Sequence, residues 1–155
     1  MPVKRSAGLL MFRRGAAGLE VLLAHPGGPL FARKDAGVWT LPKGELEPDE
    51  EPLAAARREF AEETGAPANS QTFLDLGQVQ QRGGKLVYGF AFEGDWDVAQ
   101  LSCNTFSMQW PPRSGRMQEF PEIDRMQFFT IDAARAKLNP AQVEFLDRLL
   151  ALTGE

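Results

Sequence analysis

The stretch GELEPDEEPLAAARREFAEETGA, Gly44 to Ala66, changes character halfway along, and that change decides how the rest of the chain reads. Gly44 to Asp49 is rich in turn formers and predicts a loop. From Pro52 to Thr64 the pattern is helical. Pro52 suits a first turn, alanines fill the middle, and Gly65 stands where a left-handed C-terminal cap belongs. Leu53, Ala56 and Phe60, at i, i+3 and i+7, predict the stripe that packs on a sheet. Glu59, Glu62 and Glu63, at i, i+3 and i+4, share one face beside that stripe. Like charges at this spacing destabilise a helix by roughly 0.2–0.5 kcal/mol per pair, and a divalent cation with oxygen preference is the natural compensator. Magnesium suits a few carboxylates, retained waters and phosphate oxygens, whereas the cysteine and histidine clusters that zinc wants are missing. Arg58 and Glu50 are placed to form a salt bridge that fixes the loop against the helix. An acidic solvated face is the ordinary alternative for a glutamate-rich helix.

Outward from this segment the chain reads as strands, then more strands, then helices. Ala7 to Phe12 and Leu19 to Ala24 are apolar runs around a glycine-containing turn and predict paired antiparallel strands. Val38 to Leu41 is a short extended stretch leading into Pro42-Lys43-Gly44. Thr72 to Gln80 and Lys85 to Phe92 predict a hairpin across Arg82-Gly83-Gly84, and Met126 to Ile131 a further strand. Two helices follow, Asp132 to Lys137 and Pro140 to Leu152. This order favours a mixed sheet covered by helices on both faces.

With 155 residues, 43% hydrophobic and 25% charged, the chain has material for one full core, so residues 1–155 are expected to form one domain. Its 17 basic and 21 acidic residues give a net charge of −4, which argues against a nucleic acid polymer as partner. The run before Arg13-Arg14 is too short for a leader core or a membrane span, and Cys103 is the single cysteine. A reducing, cytoplasmic setting is the expectation.

The spacing within the opening stretch carries a resemblance. Gly44, five residues, Glu50, seven residues, then Arg58-Glu59-Phe60-Ala61-Glu62-Glu63-Thr64-Gly65-Ala66 resembles the Nudix box, the loop–helix–loop signature of hydrolases that cleave nucleoside diphosphates linked to another group. All seven charged or glycine positions match, an agreement expected by chance on the order of once in 10⁸ starting points at about one residue in fifteen per position. Phe60 is bulkier, and Ala66 smaller, than the usual residues there. The likeness extends through Trp39-Thr40-Leu41-Pro42-Lys43-Gly44 and Glu122-Ile123-Asp124, and is nearest to the dinucleoside polyphosphate hydrolase type.

The resemblance implies a Nudix-type α/β/α sandwich with a mixed, partly antiparallel sheet between helices. It implies Glu59, Glu62, Glu63 and the backbone carbonyl of Lys43 as ligands of Mg²⁺, with Mn²⁺ as a substitute. Arg58 becomes an orienting catalytic residue, and Gly44, Glu50 and Gly65 structural parts of the box. An additional acid outside the box is expected at Glu122, with Glu119 its nearest competitor, and the general base is Glu59 or Glu122. The implied substrate is a nucleotide-type small molecule, a dinucleoside polyphosphate foremost. The alternatives are a house-cleaning nucleoside triphosphate pyrophosphatase and a non-catalytic nucleotide-binding module. The chain is expected to be a monomer or homodimer.

Substrate contacts are read from residue chemistry. A nucleobase needs a flat surface, for which Phe31, Trp39, Tyr88 and Phe90 are candidates; Tyr88, the one tyrosine, is favoured. Lys43, Arg33, Lys34 and Lys85 are the basic residues placed to meet phosphates. His25, in the turn His25-Pro26-Gly27-Gly28-Pro29, is expected to be structural, and Cys103 an inert thiol. Trp110-Pro111-Pro112-Arg113-Ser114-Gly115-Arg116 is too proline-rich for a strand and reads as a surface loop or as a lid over phosphates and a base.

Overall fold

The structure is a computed structural model and describes residues 3–155. Its first strand, β1 (Arg5–Gly15), organises everything else. Ala7, Leu9 and Met11 point to one face and Leu10 and Phe12 to the other, and both sets are buried. An unbroken apolar run is what a strand covered on two sides requires.

One edge of β1 is shared. Its N-terminal part pairs antiparallel with β3 (Lys43–Glu45), and its C-terminal part with β2 (Gly18–Pro26). The other edge pairs parallel with β5 (Leu86–Glu93), which carries β4 (Leu74–Gln80) antiparallel outside it. A second two-stranded ribbon, β6 (Thr105–Gln109) and β7 (Met117–Pro121), precedes β8 (Ile123–Thr130), which returns to pair with β2. The main sheet therefore runs β4-β5-β1-β2-β8, with β3 also on β1.

The helix α1 (Pro52–Thr64) covers one face, with Ala55, Ala56 and Phe60 packed on Ala7, Leu9 and Met11. The opposite face is covered by α2 (Ile131–Lys137) and α3 (Glu144–Thr153), where Phe145, Leu146 and Leu149 meet Leu10 and Val87. This is the three-layered mixed fold expected. Gly65 takes the left-handed cap at φ 76°, its N–H donating to the Ala61 carbonyl.

Several local expectations shift. The segment after Lys43 begins as strand rather than loop, because β1 extends far enough to pair with it. Leu53 is only partly buried, and Thr64 completes the stripe instead, its hydroxyl donating to the Phe60 carbonyl at 2.6 Å. The last helix is interrupted: Pro140–Gln142 forms a 3-10 turn capped by the Asn139 side chain, and α3 starts after it. Strands β6 and β7 flank Trp110–Arg116, which is their connecting turn.

Candidate active site

Box residues meet where α1 crosses β3. Gly44 faces the helix, and a Cβ there would overlap the Glu59 carboxylate, so only glycine lets that side chain lie against the strand. Arg58 then ties helix to loop. Its Nε and Nη2 donate to the two oxygens of Glu50, each at 2.9 Å, and Nη1 donates to Glu59 Oε1 at 2.8 Å. Nη1 also reaches Glu62 Oε2 at 3.4 Å, and Nη2 the Glu45 carbonyl at 3.3 Å. Glu50 Oε1 accepts the Glu47 N–H as well. The expected Arg58–Glu50 salt bridge is thus bidentate, and it holds the Glu50 carboxyl down at about 2.

The remaining acids are less well compensated. Glu63 is pushed up to about 8 by burial, by the Glu122 carboxyl in hydrogen-bond contact with it, and by Glu59. Glu59 is also raised, by burial, against the pull of Arg58. Glu62 lies at the rim with its side chain 49% exposed. Glu122 enters from a distant part of the chain, between β7 and β8, near enough for its charge to act on Glu63 and Glu59. Glu119 is exposed on β7, paired across the ribbon with Ser107.

Two lysines stand beside the acids, and the charges of Lys43 and Glu63 act on each other. Lys43 pairs in register with Gly8; burial first, then the nearby Lys85 charge, lowers Lys43 to about 8 against the pull of Glu63 and Glu45. Ser6 belongs to the same face of β1, with Glu45 and Val87 as its register partners. Its buried hydroxyl has no hydrogen-bond partner. Ser6 escaped the sequence reading because a small hydroxyl residue at the head of an apolar run carries no signal of its own.

Two aromatic candidates part from the acids. Trp39 is 1% exposed, its ring edge-on to His25 and Phe129 and its indole N–H donating to Asp35, so it is core and offers no open face to a base. Tyr88 and Gly44 are the two register neighbours of Ala7, on opposite sides of β1, and α1 lies over β1 between them. Tyr88 instead lines a groove with Pro52, Leu53, Asp75 and Phe90. Phe31, Arg33 and Lys34 lie on the surface segment after Gly28, with the Lys34 ammonium 5.6 Å from the Phe31 ring. His25 is fully buried and framework, as expected.

The donor set suits a hard divalent cation. It is made of oxygens alone, and crowded carboxylates that otherwise retain a proton are what a cation would relieve. Among the described residues no three His, Cys, Asp or Glu side chains are drawn close enough to hold an ion as they stand. Glu59 is meanwhile held by Arg58. No helix among the described residues is long and apolar enough to cross a membrane.

Known proteins share this architecture. An RNA pyrophosphohydrolase from Bartonella henselae is 28% identical over 140 residues, covering 79% of this chain and 75% of that protein. An Ap4A hydrolase binary complex from C. elegans superposes with a TM-score of 0.67 at 22% identity, over 96% of this chain and 98% of that one. The NUDIX domain of Shewanella oneidensis NrtR complexed with ADP ribose gives 0.65 at 15% identity, over 99% and 90%. Structural likeness at such identities speaks for the fold alone. The NUDIX domain family model matches residues 2–149. With the box intact inside that match, the chain belongs to the Nudix family.

Proposed function

We propose that the protein is a divalent-cation-dependent pyrophosphohydrolase that cleaves nucleoside diphosphate-linked small molecules, dinucleoside polyphosphates foremost. The observation that carries this reading is the Glu59 carboxylate packed on Gly44 under the Arg58 fork, with Glu63 pushed up by burial and by its neighbours Glu122 and Glu59, and Lys43 and Lys85 beside these acids. Acids to hold a cation and bases to hold phosphates thus stand around one strand end.

In this reading Glu59, Glu62, Glu63 and the Lys43 carbonyl hold Mg²⁺, for which Mn²⁺ substitutes. When bound, the cation neutralises phosphate oxygens and lowers the pKa of the attacking water. Arg58 orients Glu59 and keeps the loop closed on the helix. Glu122 takes the water proton, because Glu59 is already held by Arg58 and packed against Gly44. Lys43, Lys85 and Ser6 supply donors for the phosphate chain. A polyphosphate carrying a nucleoside at each end spans both sets of groups. The names of the Ap4A hydrolase neighbour and the RNA pyrophosphohydrolase relative support diphosphate linkages as the bond attacked. The net charge of −4 favours small substrates over polymers.

The test is a mass-spectrometric screen with Mg²⁺ and with EDTA against dinucleoside polyphosphates, nucleoside triphosphates, ADP-ribose and 5′-triphosphorylated RNA. Cation-dependent cleavage of a dinucleoside polyphosphate, abolished in a folded Glu63→Gln variant, is expected. Preferred release of pyrophosphate from triphosphates would replace this substrate class, and wild-type turnover by Glu63→Gln would remove the metal site.

A further inference from the structure

The turn after β2 grips the chain on both sides of Glu122. Strands β2 and β8 run in register from Glu20 to His25, and the register then slips so that Pro26 faces Ile123. Past the slip, Gly27 N–H donates to the Glu122 carbonyl at 2.9 Å. A Cβ on Gly27 would overlap the Pro121 carbonyl oxygen, so the two backbones meet at a distance only glycine permits. A Cβ on Gly28 would stand 2.7 Å from the Phe106 ring, which seats the ribbon on the same turn. On the other side, Glu122 N–H donates to the Asn104 carbonyl, and the Cys103 thiol contacts the Ile123 carbonyl at 3.4 Å. Asp124 is held by His25 Nδ1 at 2.8 Å, while His25 Nε2 bonds the Lys34 carbonyl at 2.7 Å.

Such a grip is needed because Glu122 hangs from the end of a two-stranded ribbon, a structure marginal by itself in water. Glu122 reaches Glu63 only if the backbone of residues 121–124 is fixed from outside. We propose that Gly27 and His25 are positioning residues for Glu122, and that the His25-Pro26-Gly27-Gly28 turn is the seat that brings this acid to the box carboxylates. The proposal rests on the reading of Glu122 as the acid that serves the reaction.

The test compares Gly27→Ala, His25→Phe and Glu122→Gln, alone and combined, on the full chain. Two quantities are read: kcat and KM for the substrate found in the screen, and Mn²⁺ affinity by electron paramagnetic resonance, which needs no substrate. Displacing a catalytic group by about 1 Å costs on the order of 10²-fold in rate. Gly27→Ala is therefore expected to lower kcat 10- to 100-fold, to change KM less than about threefold, and, like Glu122→Gln, to leave Mn²⁺ affinity within about threefold of the unsubstituted protein, because the base is displaced and the cation ligands are not. In the Glu122→Gln background it should add almost nothing, because the group it positions is gone. His25→Phe keeps the ring and loses both hydrogen bonds, so it serves if Gly27→Ala does not fold, with the same expectation at smaller size. Effects of Gly27→Ala or His25→Phe that multiply with those of Glu122→Gln would show a merely structural turn. So would wild-type values in the folded variants. Wild-type values in Glu122→Gln itself would instead overturn the role of Glu122, a separate failure.

Discussion

Gly44 and Glu59 occupy one site between them: the carboxylate of the helix residue fills the space a side chain on the strand residue would take. The strand thereby serves as a template that sets the height of the acid above the sheet. Gly44→Ala is expected to leave the fold in place, since alanine is tolerated at a strand position without positive φ, and to displace Glu59 outward. Mn²⁺ affinity should fall about tenfold or more, the cost of one misplaced carboxylate ligand. Titration of the variant by electron paramagnetic resonance, beside a thermal melt, checks both halves. Unchanged affinity would mean that Glu59 is not a ligand.

Arg58 acts as a fork rather than as a point charge. Both Glu50 oxygens are engaged by different guanidinium nitrogens while a third contact reaches Glu59. A lysine cannot reproduce that geometry. Arg58→Lys should destabilise the protein by roughly 1 kcal/mol and lower turnover, while charge is conserved. The Glu50 carboxyl, held at about 2 when folded and near 4.5 when not, contributes stability above pH 4.5 that is lost as pH falls toward 2. The variant should accordingly unfold at higher pH in an acid titration followed by circular dichroism.

Glu63 and Lys43 act in the opposite sense on the metal-free protein. Between pH 4.5 and about 8 the folded state retains a proton on Glu63 that the unfolded chain releases, so stability falls as pH rises through this window. Between about 8 and 10.5 the folded state has lost a Lys43 proton that the unfolded chain keeps, so stability rises again. These two groups place a minimum near pH 8 in the melting temperature measured in EDTA. Glu63→Gln should cut back the descending limb to what Glu59 contributes and leave the ascending one. A descending limb of undiminished size in that variant would sink the assignment.

The box was legible in the chain because its chemistry and its local structure share one short segment. Helix, cap, acids and the Arg58–Glu50 bridge all lie within Gly44–Ala66 and need no distant partner. The ribbon of β6 and β7 was not legible, since β6 only half-buries alternate residues, β7 is exposed apart from the half-buried Phe120, and neither buries a face of its own. Trp39 could not be sorted from the sequence either. A tryptophan beside the box serves a core or a base equally well until register assigns it a face, and the parallel bridge to Leu138 turns it toward α2. Lys43 on β3 and Lys85 just before β5 come near each other because both strands pair with β1, a relation carried by sheet order alone.

That proximity sets a prediction of its own. Two neighbouring ammonium groups repel, and a phosphate oxygen between them relieves that repulsion beyond what Glu63 and Glu45 already offset at Lys43. Lys85→Ala should raise KM about tenfold with kcat changed less than threefold, the signature of lost ground-state and transition-state binding alike. Initial-rate kinetics on the substrate from the screen decide it. A fall in kcat with KM unchanged would assign Lys85 to the chemical step instead.

Tyr88 supplies the contrasting case, because sequence chemistry favoured it for base recognition and sheet geometry separates it from the acids. Gly44 and Tyr88 flank Ala7 from the two sides of β1, and α1 packs down on β1 through Ala55, Ala56 and Phe60. Glu59, packed on Gly44, and the phenol ring therefore lie toward different flanks of the helix. Lys85, by contrast, is three residues earlier in the chain, before β5 begins, and acts on Lys43 beside the acids. Tyr88→Phe is expected to leave kcat and KM within about twofold of wild type. Tyr88→Ala, which removes packing beside Leu53 and Phe90, should lower the melting temperature by several degrees, since truncating a partly buried aromatic costs on the order of 1–3 kcal/mol. A KM raised tenfold in Tyr88→Phe, with the melting temperature unchanged, would mean that substrate reaches this flank of the helix after all.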